Sequence, residues 1–357
     1  MNVLVGYGYF PFTTARYLEE ALAQEHHVIS VGTPWRGRPG YAPNVDIQGL
    51  VQDLKLHPDL FLYVDSGHAA YLPRNIEKLD CPTAAYLIDV HLGPRLRRPL
   101  ATLFDYVFVA QKDCVDLYRM GKDQHVEWLP LACDPRIHKD LGLDRSLDLG
   151  FVGRVGGSYD RRTDMLQALE TRFKLNDYRR PYKREEMAST YSESKIAFNC
   201  SISGDVNMRV FEAMACGAML VTDRIANGLL DLFQDGRHLA TFQTRDELLE
   251  RVGYYLQHDD ERKAIAEAGQ AEVLAHHTYR CRGEQILETI QASPSARAPL
   301  RDATESERLE RYADLYSKFR LLDAGFAVLG NARAQRKARL ASSYQLLLAI
   351  LRRIKYG

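Results

Sequence analysis

Four short stretches of this chain hold polar side chains where a ligand or a proton could be handled. "DSGH" carries Asp65 and His68, and "DVHL" carries Asp89 and His91. An Asp beside a His can act as a general base or grip a hydroxyl group. Asp and Ser also start helices and turns, so capping is the structural alternative. "FVGRVGGSYDRR" brings Gly153, Gly156 and Gly157 together with Arg154, Arg161 and Arg162. Glycines let the backbone run close to a bulky group, and guanidinium forks match phosphate oxygens. A solvated loop with paired arginines is the alternative there. "DVNMRVFEAMACG" sets Asn207, Arg209 and Glu212 in the opening turns of an apolar helix. Its amino terminus presents unmet N–H groups suited to phosphate, yet disfavours a cation such as Arg209 unless an anion is near. An ionised Glu accepts paired hydrogen bonds from vicinal hydroxyls. Phosphate at the tip with a diol beside it describes a nucleotide; an internal Arg209–Glu212 pair is the weaker alternative.

Spacing excludes other chemistries. Gly6-x-Gly8 is half of a dinucleotide fingerprint, but Pro11 stands where the third glycine belongs. The run "GTPWRGRPG" then offers no acid for a ribose. No Gly-Lys-Ser/Thr follows the second glycine cluster, which removes Walker-type hydrolysis. The six cysteines, at 81, 114, 133, 200, 216 and 281, form no C-x-x-C pair. They read as reduced core thiols. The Asp/His pairs lack ligand spacing, so no metal is expected. Lys plus Arg balance Asp plus Glu at 47 each, and no whole-molecule field favours nucleic acid.

The elements that must position these residues show as apolar runs. "NVLVG", "HVISVG", "DLFLYV", "TAAYLI", "DYVFVA" and "HVEWLP" form one series, and "LDLGFVG", "KIAFNCS", "GAMLVT" and "RHLATF" a second. Continuous rather than alternating apolarity marks parallel strands covered on both faces. Amphipathic segments stand between them. At 357 residues the chain holds two such doubly wound α/β domains and an appendage. The expected division is 1–143, 144–292 and 293–357. "ASPSARAP" reads as a linker, and Thr304 with Glu307 as a capping box that opens a helix. Leu309, Tyr312, Tyr316, Phe319 and Leu322 then recur at helical spacing. Residues 331–357 carry seven positive charges and no acid, the pattern of a helix on an anionic membrane surface or on a partner protein. A helix packed on its own domains is the bland alternative. The opening "MNVLVGYGYFPF" lacks signal-peptide regions, and no apolar run reaches about 20 residues. A soluble, cytoplasmic chain is expected, at the inner face of the membrane if the tail docks there.

"NMRVFEAMACGAMLVTD" and the helices after it resemble the carboxyl-terminal domain of spore-maturation glycosyltransferases of the CgeB type. These are relatives of the group-one glycosyltransferases. "YVDSGH", "PTAAYLIDVHLG", "DYVFVAQKD" and "WLPLACDP" extend the resemblance over residues 55–290. It implies a GT-B fold: two Rossmann-like doubly wound domains facing a central cleft, here with a helical C-terminal extension. It further implies transfer of a hexosyl unit from a nucleotide-diphosphate sugar to a glycan, lipid-linked or protein acceptor, with neither metal nor cofactor. By matching motifs, Glu212 is similar to the glutamate that holds the donor ribose. Arg154 is similar to the basic residue on the diphosphate, with Arg161 or Arg162 as its helper. "RPYKREEM", around Pro181 and Tyr182, occupies the segment that contacts the base. Gly153, Asn207 and Arg209 complete the expected donor side, and Asp65, His68, Asp89 and His91 the expected catalytic side near Gly6–Tyr9. One departure is Gly204, next to Asp205, where many group-one enzymes carry a second Glu facing the transferred sugar. A nucleotide-sugar epimerase or hydrolase of the same fold is the first rival. A non-catalytic nucleotide-sugar-binding protein is the second.

Overall fold

The computed structural model describes residues 1–10, 13–35, 37, 38, 40–65, 71–319 and 321. Its residues divide into two units: one holds 1–110, 114–129 and the chain from Gly283, the other 111–113 and 130–282.

The first unit is built on β1 (Asn2–Tyr7), α1 (Thr14–Leu22), β2 (His27–Gly32), α2 (Ile47–Asp53), β3 (Leu60–Val64), β4 (Thr83–Leu87), α3 (Pro94–Ala101), β5 (Tyr106–Val109) and β6 (His125–Trp128). All six apolar runs of the first series become strands. They pair in parallel, in the order β2-β1-β3-β4-β5-β6. Every residue of β3, β4 and β5 is buried, as strands covered on both faces require. The chain leaves β1 for β2 on one side and β3 on the other. The order therefore reverses between β1 and β3, where an open α/β sheet binds ligands. The loops leaving those two strands carry Tyr9 and Asp65.

The second unit contains β7 (Leu147–Gly150), α4 (Asp160–Glu170), α5 (Arg184–Ser192), β8 (Ser194–Asn199), α6 (Met208–Ala215), β9 (Met219–Asp223), α7 (Leu229–Leu232), β10 (Ala240–Phe242), α8 (Arg245–Gln257) and α9 (Asp259–His276). Four parallel strands run β10-β9-β8-β7. On the far side of β7, Leu149 bridges Leu175. The strand order thus reverses between β7 and β8. Leu149, Phe151, Ile196, Phe198, Met219 and Phe242 lie in its core.

The boundary between the units falls within α10 (Tyr279–Ala292), and the chain beyond it departs from the expected division. The stretch 292–299 is not a free linker. The Ala298 N–H donates to Asp105 Oδ1, and the Arg301 fork spans Asp105 and the carbonyls of Glu77, Leu79 and Cys81. The Thr304–Glu307 capping box opens α11 (Glu305–Lys318) as expected. Leu300, Tyr312, Leu315 and Tyr316 then enter the core of the first unit. Residues 130–143, expected in the amino-terminal domain, belong to the second unit. His68, Leu322 and the basic segment 331–357 lie outside the described residues. Among the described residues, no helix is long and apolar enough to cross a membrane.

Candidate functional site

In the second unit the loops leaving β7 and β8 are tied together by α6. Arg209 Nε donates to the Val152 carbonyl at 2.8 Å and Nη1 to Asn199 Oδ1 at 2.7 Å, with the guanidinium over the Phe151 ring. Asn199 in turn donates to Thr222 on β9. Backbone and amide oxygens thus already accept from Arg209 Nε and Nη1. Gly153 is required beside it, because a Cβ there would stand 2.2 Å from Arg209 Nη2. Arg162 is likewise structural. It is buried, it donates to the carbonyls of Cys200 and Arg154, and burial with Arg209 nearby lowers its pKa to about 10.

Three other expected donor-side groups are placed differently. The Arg154 side chain is exposed, with no hydrogen bond or ion pair among the described residues. Asn207 precedes α6 without capping it, and both atoms of its amide are buried with no partner among the described residues. Arg161 leans on Asp223 at 3.2 Å, at the wall of an open pocket of about 690 Å³ that Ser201, Gly204, Arg224 and Gln243 also line. Asp223 is held rigid there by the Ser201 N–H and hydroxyl. Gly204 has φ +75° and open space beside it. Asp205 does not stand in for the missing glutamate with its Oδ1, which accepts from the Ile202 and Ser203 N–H groups and holds the turn.

Glu212 sits one turn below Arg209, is buried, and has His138 Nε2 at 3.4 Å from its Oε1. Tyr182 spends its hydroxyl on the Asp177 carbonyl and on Asn176. Asn176 pairs with both backbone groups of Phe151, which joins that segment to the glycine loop.

In the first unit, Asp65 is buried and paired with Arg97 of α3 at 2.5 Å, and Arg97 also comes within 4.0 Å of Asp89. One guanidinium thus gathers the ends of β3 and β4. The Asp65 and Asp89 carboxylates push the Arg97 pKa up against the opposing effect of burial. Asp89 is the more accessible acid, with a side chain 42% exposed. His91 has both ring nitrogens buried without a partner among the described residues.

Asn199, Ser201, Asp223 and His138 were not among the expected site residues. Asn199 had a signal, a polar residue inside an apolar run, and Asp223 another, an acid directly after "GAMLVT". His138 had none.

The two parallel, Rossmann-like sheets match GT-B glycosyltransferase structures. Sucrose-phosphate synthase from Thermosynechococcus elongatus is similar with a TM-score of 0.58 at 12% identity, over 82% of this chain and 98% of that one. HepE from Anabaena, in complex with UDP-glucose, gives 0.60 at 13% identity, over 82% and 100%. A Listeria monocytogenes protein described as a UDP-N-acetylglucosamine 2-epimerase gives 0.54 at 12%, over 82% and 96%. In sequence, residues 142–288 match a family described as "Glycosyl transferase-like". No curated protein matches the chain.

Proposed function

We propose that the protein is a metal-independent glycosyltransferase whose second unit holds a nucleotide-diphosphate sugar. The observation that carries this is the Asn207 amide, buried and unmet at the amino terminus of α6. A buried amide without partners costs about 1–3 kcal/mol, and a ligand that met it would recover that. The charge of the missing partner is indicated by its surroundings. Helix N–H groups, the uncommitted Arg154 and the pocket-lining Arg161 and Arg224 favour a diphosphate. Glu212 offers a carboxylate to the ribose hydroxyls. As the donor bond breaks, these cationic and N–H groups would stabilise the departing nucleoside diphosphate. Asp89 or His91 would take the proton of the attacking acceptor hydroxyl. His68 is the reserve for that role, by its sequence position. The match of residues 142–288 supports the class of the donor unit. The finer assignment, to enzymes of the spore-maturation type with a glycan, lipid-linked or protein acceptor, rests on the resemblance in "NMRVFEAMACGAMLVTD".

The test is direct binding. A screen of nucleotide sugars should raise the melting temperature with one donor, by about 2.7 kcal/mol of added stability at a hundredfold excess over Kd. Glu212→Ala and Arg154→Ala should each weaken that binding by about 1.5 kcal/mol or more. EDTA should leave it unchanged. No stabilisation by any nucleoside diphosphate, or unchanged affinity in both variants, would overturn the reading. An epimerase is the second reading, since the fold is shared with the Listeria protein. An epimerase would convert the donor without an acceptor, whereas a transferase leaves the sugar's configuration intact until a hydroxyl acceptor is supplied.

A further inference from the structure

The segment between β6 and β7 carries a histidine that no step above uses, and it lies against the glutamate on which the ribose contact depends. His138 is wholly buried. Its Nδ1 accepts a hydrogen bond from the Asp134 N–H at 2.9 Å. A ring nitrogen that accepts carries no proton, so the neutral imidazole must keep its hydrogen on Nε2. That nitrogen stands 3.4 Å from Glu212 Oε1. The turn that presents it is anchored. The His138 N–H donates to the Asp134 carbonyl at 2.7 Å, Asp134 binds the Arg136 fork, and Cys133 bridges Thr278.

The need for such a donor comes from glutamate itself. Its last torsion is broad and roughly two-fold, so nothing within the side chain fixes the plane of the carboxylate. A carboxylate that must meet two neighbouring hydroxyls requires that plane to be set. Arg209, which shares the same face of α6, spends Nε and Nη1 on Val152 and Asn199.

We infer that His138 is a positioning residue whose Nε2–H sets the carboxylate plane of Glu212 so that it meets both hydroxyls of the donor ribose. This rests on the donor reading above. The 3.4 Å separation is an ion-pair-type contact rather than a formed hydrogen bond, and the bond is one that closes as the site tightens around a ligand.

Two substitutions split the imidazole into its halves. His138→Asn keeps an oxygen near the Nδ1 position for the Asp134 N–H and removes the donor to Glu212. His138→Gln places an N–H near the Nε2 position. The probe is whichever of UDP, GDP and ADP binds the full-length protein most tightly, compared by calorimetry with its 2′-deoxy counterpart. Wild type should prefer the ribonucleotide by about tenfold, the scale of a hydrogen bond to a charged group. Glu212→Gln and His138→Asn should both lose most of that preference, and His138→Gln should retain it. A lower melting temperature without change of preference is what a merely structural histidine would give. If His138→Asn keeps the preference, or if both His138 variants lose it equally, the inference is overturned while the donor reading stands. If wild type and Glu212→Gln show no ribose preference, the donor reading falls and the inference with it. An independent readout needs no stable variant: in the ¹⁵N-histidine-labelled protein, the His138 ring nitrogens should show the shift pattern of the neutral Nε2–H tautomer. The opposite tautomer overturns the inference.

Discussion

At the scale of single residues, the acids and histidines of the first unit separate into structural and chemical groups by what already holds them. Asp65 is buried against Arg97, and removing one partner of a buried pair strands the other charge. Asp65→Ala should therefore cost about 3 kcal/mol in denaturant unfolding. Asp89 is half exposed, and Asp89→Ala should change stability by under about 1 kcal/mol while lowering turnover about 100-fold. His91 is the more telling case. A ring with two buried, unmet nitrogens is a liability in the folded state, so His91→Phe should be neutral or stabilising on melting. If turnover nevertheless falls about 100-fold, the liability is functional. Wild-type turnover in both the Asp89 and His91 variants would leave the pair as turn residues and the chemistry elsewhere. The sequence shows residue types and spacing, which is why these positions could be picked out. It does not show that Arg97 gathers Asp65 and Asp89, because that contact joins two strand ends through a helix that follows both in the chain.

At the scale of elements, both sheets were legible because most strands lie in continuous apolar runs, although β6 (HVEW) and β7 (LDLG) carry charged residues. What was not legible is how the runs are braced. The reading of α6 as an anion-facing helix tip assigned Arg209 to a ligand and did not show that its Nε and Nη1 clamp the loops after β7 and β8. Helical spacing places Arg209 on a face of α6 but does not reveal that the Val152 carbonyl lies opposite. The clamp makes a prediction that distinguishes it from a direct phosphate ligand. Gly153→Ala pushes a Cβ into Arg209 Nη2 and against the edge of the Phe151 ring, displacing the guanidinium from the Val152 carbonyl. Nucleoside diphosphate affinity should fall about tenfold, with a stability loss of only about 1–2 kcal/mol, measured by calorimetry and urea unfolding. Unchanged affinity would mean that the loop's position does not matter to the ligand. Burial supplies a second element-scale effect. Packing among Phe211 and Phe233, with Arg282 donating to its Nδ1, lowers the His277 pKa to about 3. Glu272, 3.8 Å from Nε2, does not offset this. Between the ordinary value near 6.5 and about 3, the unfolded chain binds a proton that the folded chain does not. The stability this neutral ring contributes is complete above pH 6.5 and declines as pH falls, by about 1.4 kcal/mol per pH unit. Urea midpoints from pH 7 to 4 should fall less steeply in His277→Asn.

At the scale of the whole molecule, the chain after α10 is where composition misleads most. Pro, Ser and Ala in "ASPSARAP" are the residues of a linker, and nothing in them names the surface they lie along. Asp105 and the Asp123 carbonyl hold that stretch, and Glu77 and the carbonyls near Cys81 hold Arg301 and Tyr312 just after it, all far earlier in the sequence. The consequence concerns where the protein can be cut. A chain ending at Pro294 loses Leu300, Tyr312, Leu315 and Tyr316 from the core and strips buried Asp105 of Arg301. It should not give a folded first unit, and loss of near-ultraviolet dichroism with dye binding to exposed apolar surface would report that. A chain ending at Leu321 keeps all of those contacts and lacks the basic segment. It is the proper comparison for the membrane idea. Each Lys or Arg near an anionic surface contributes on the order of 1 kcal/mol, an attraction that fades within a Debye length. Seven such charges without an acid should make the full-length protein pellet with phosphatidylserine-containing vesicles at low salt and release it near 0.5 M, roughly where screening is complete. The chain ending at Leu321 should stay in the supernatant and bind the donor as before. Should the full-length protein ignore the vesicles at low salt, the basic segment has no membrane role, and an acceptor held in a lipid surface loses its support.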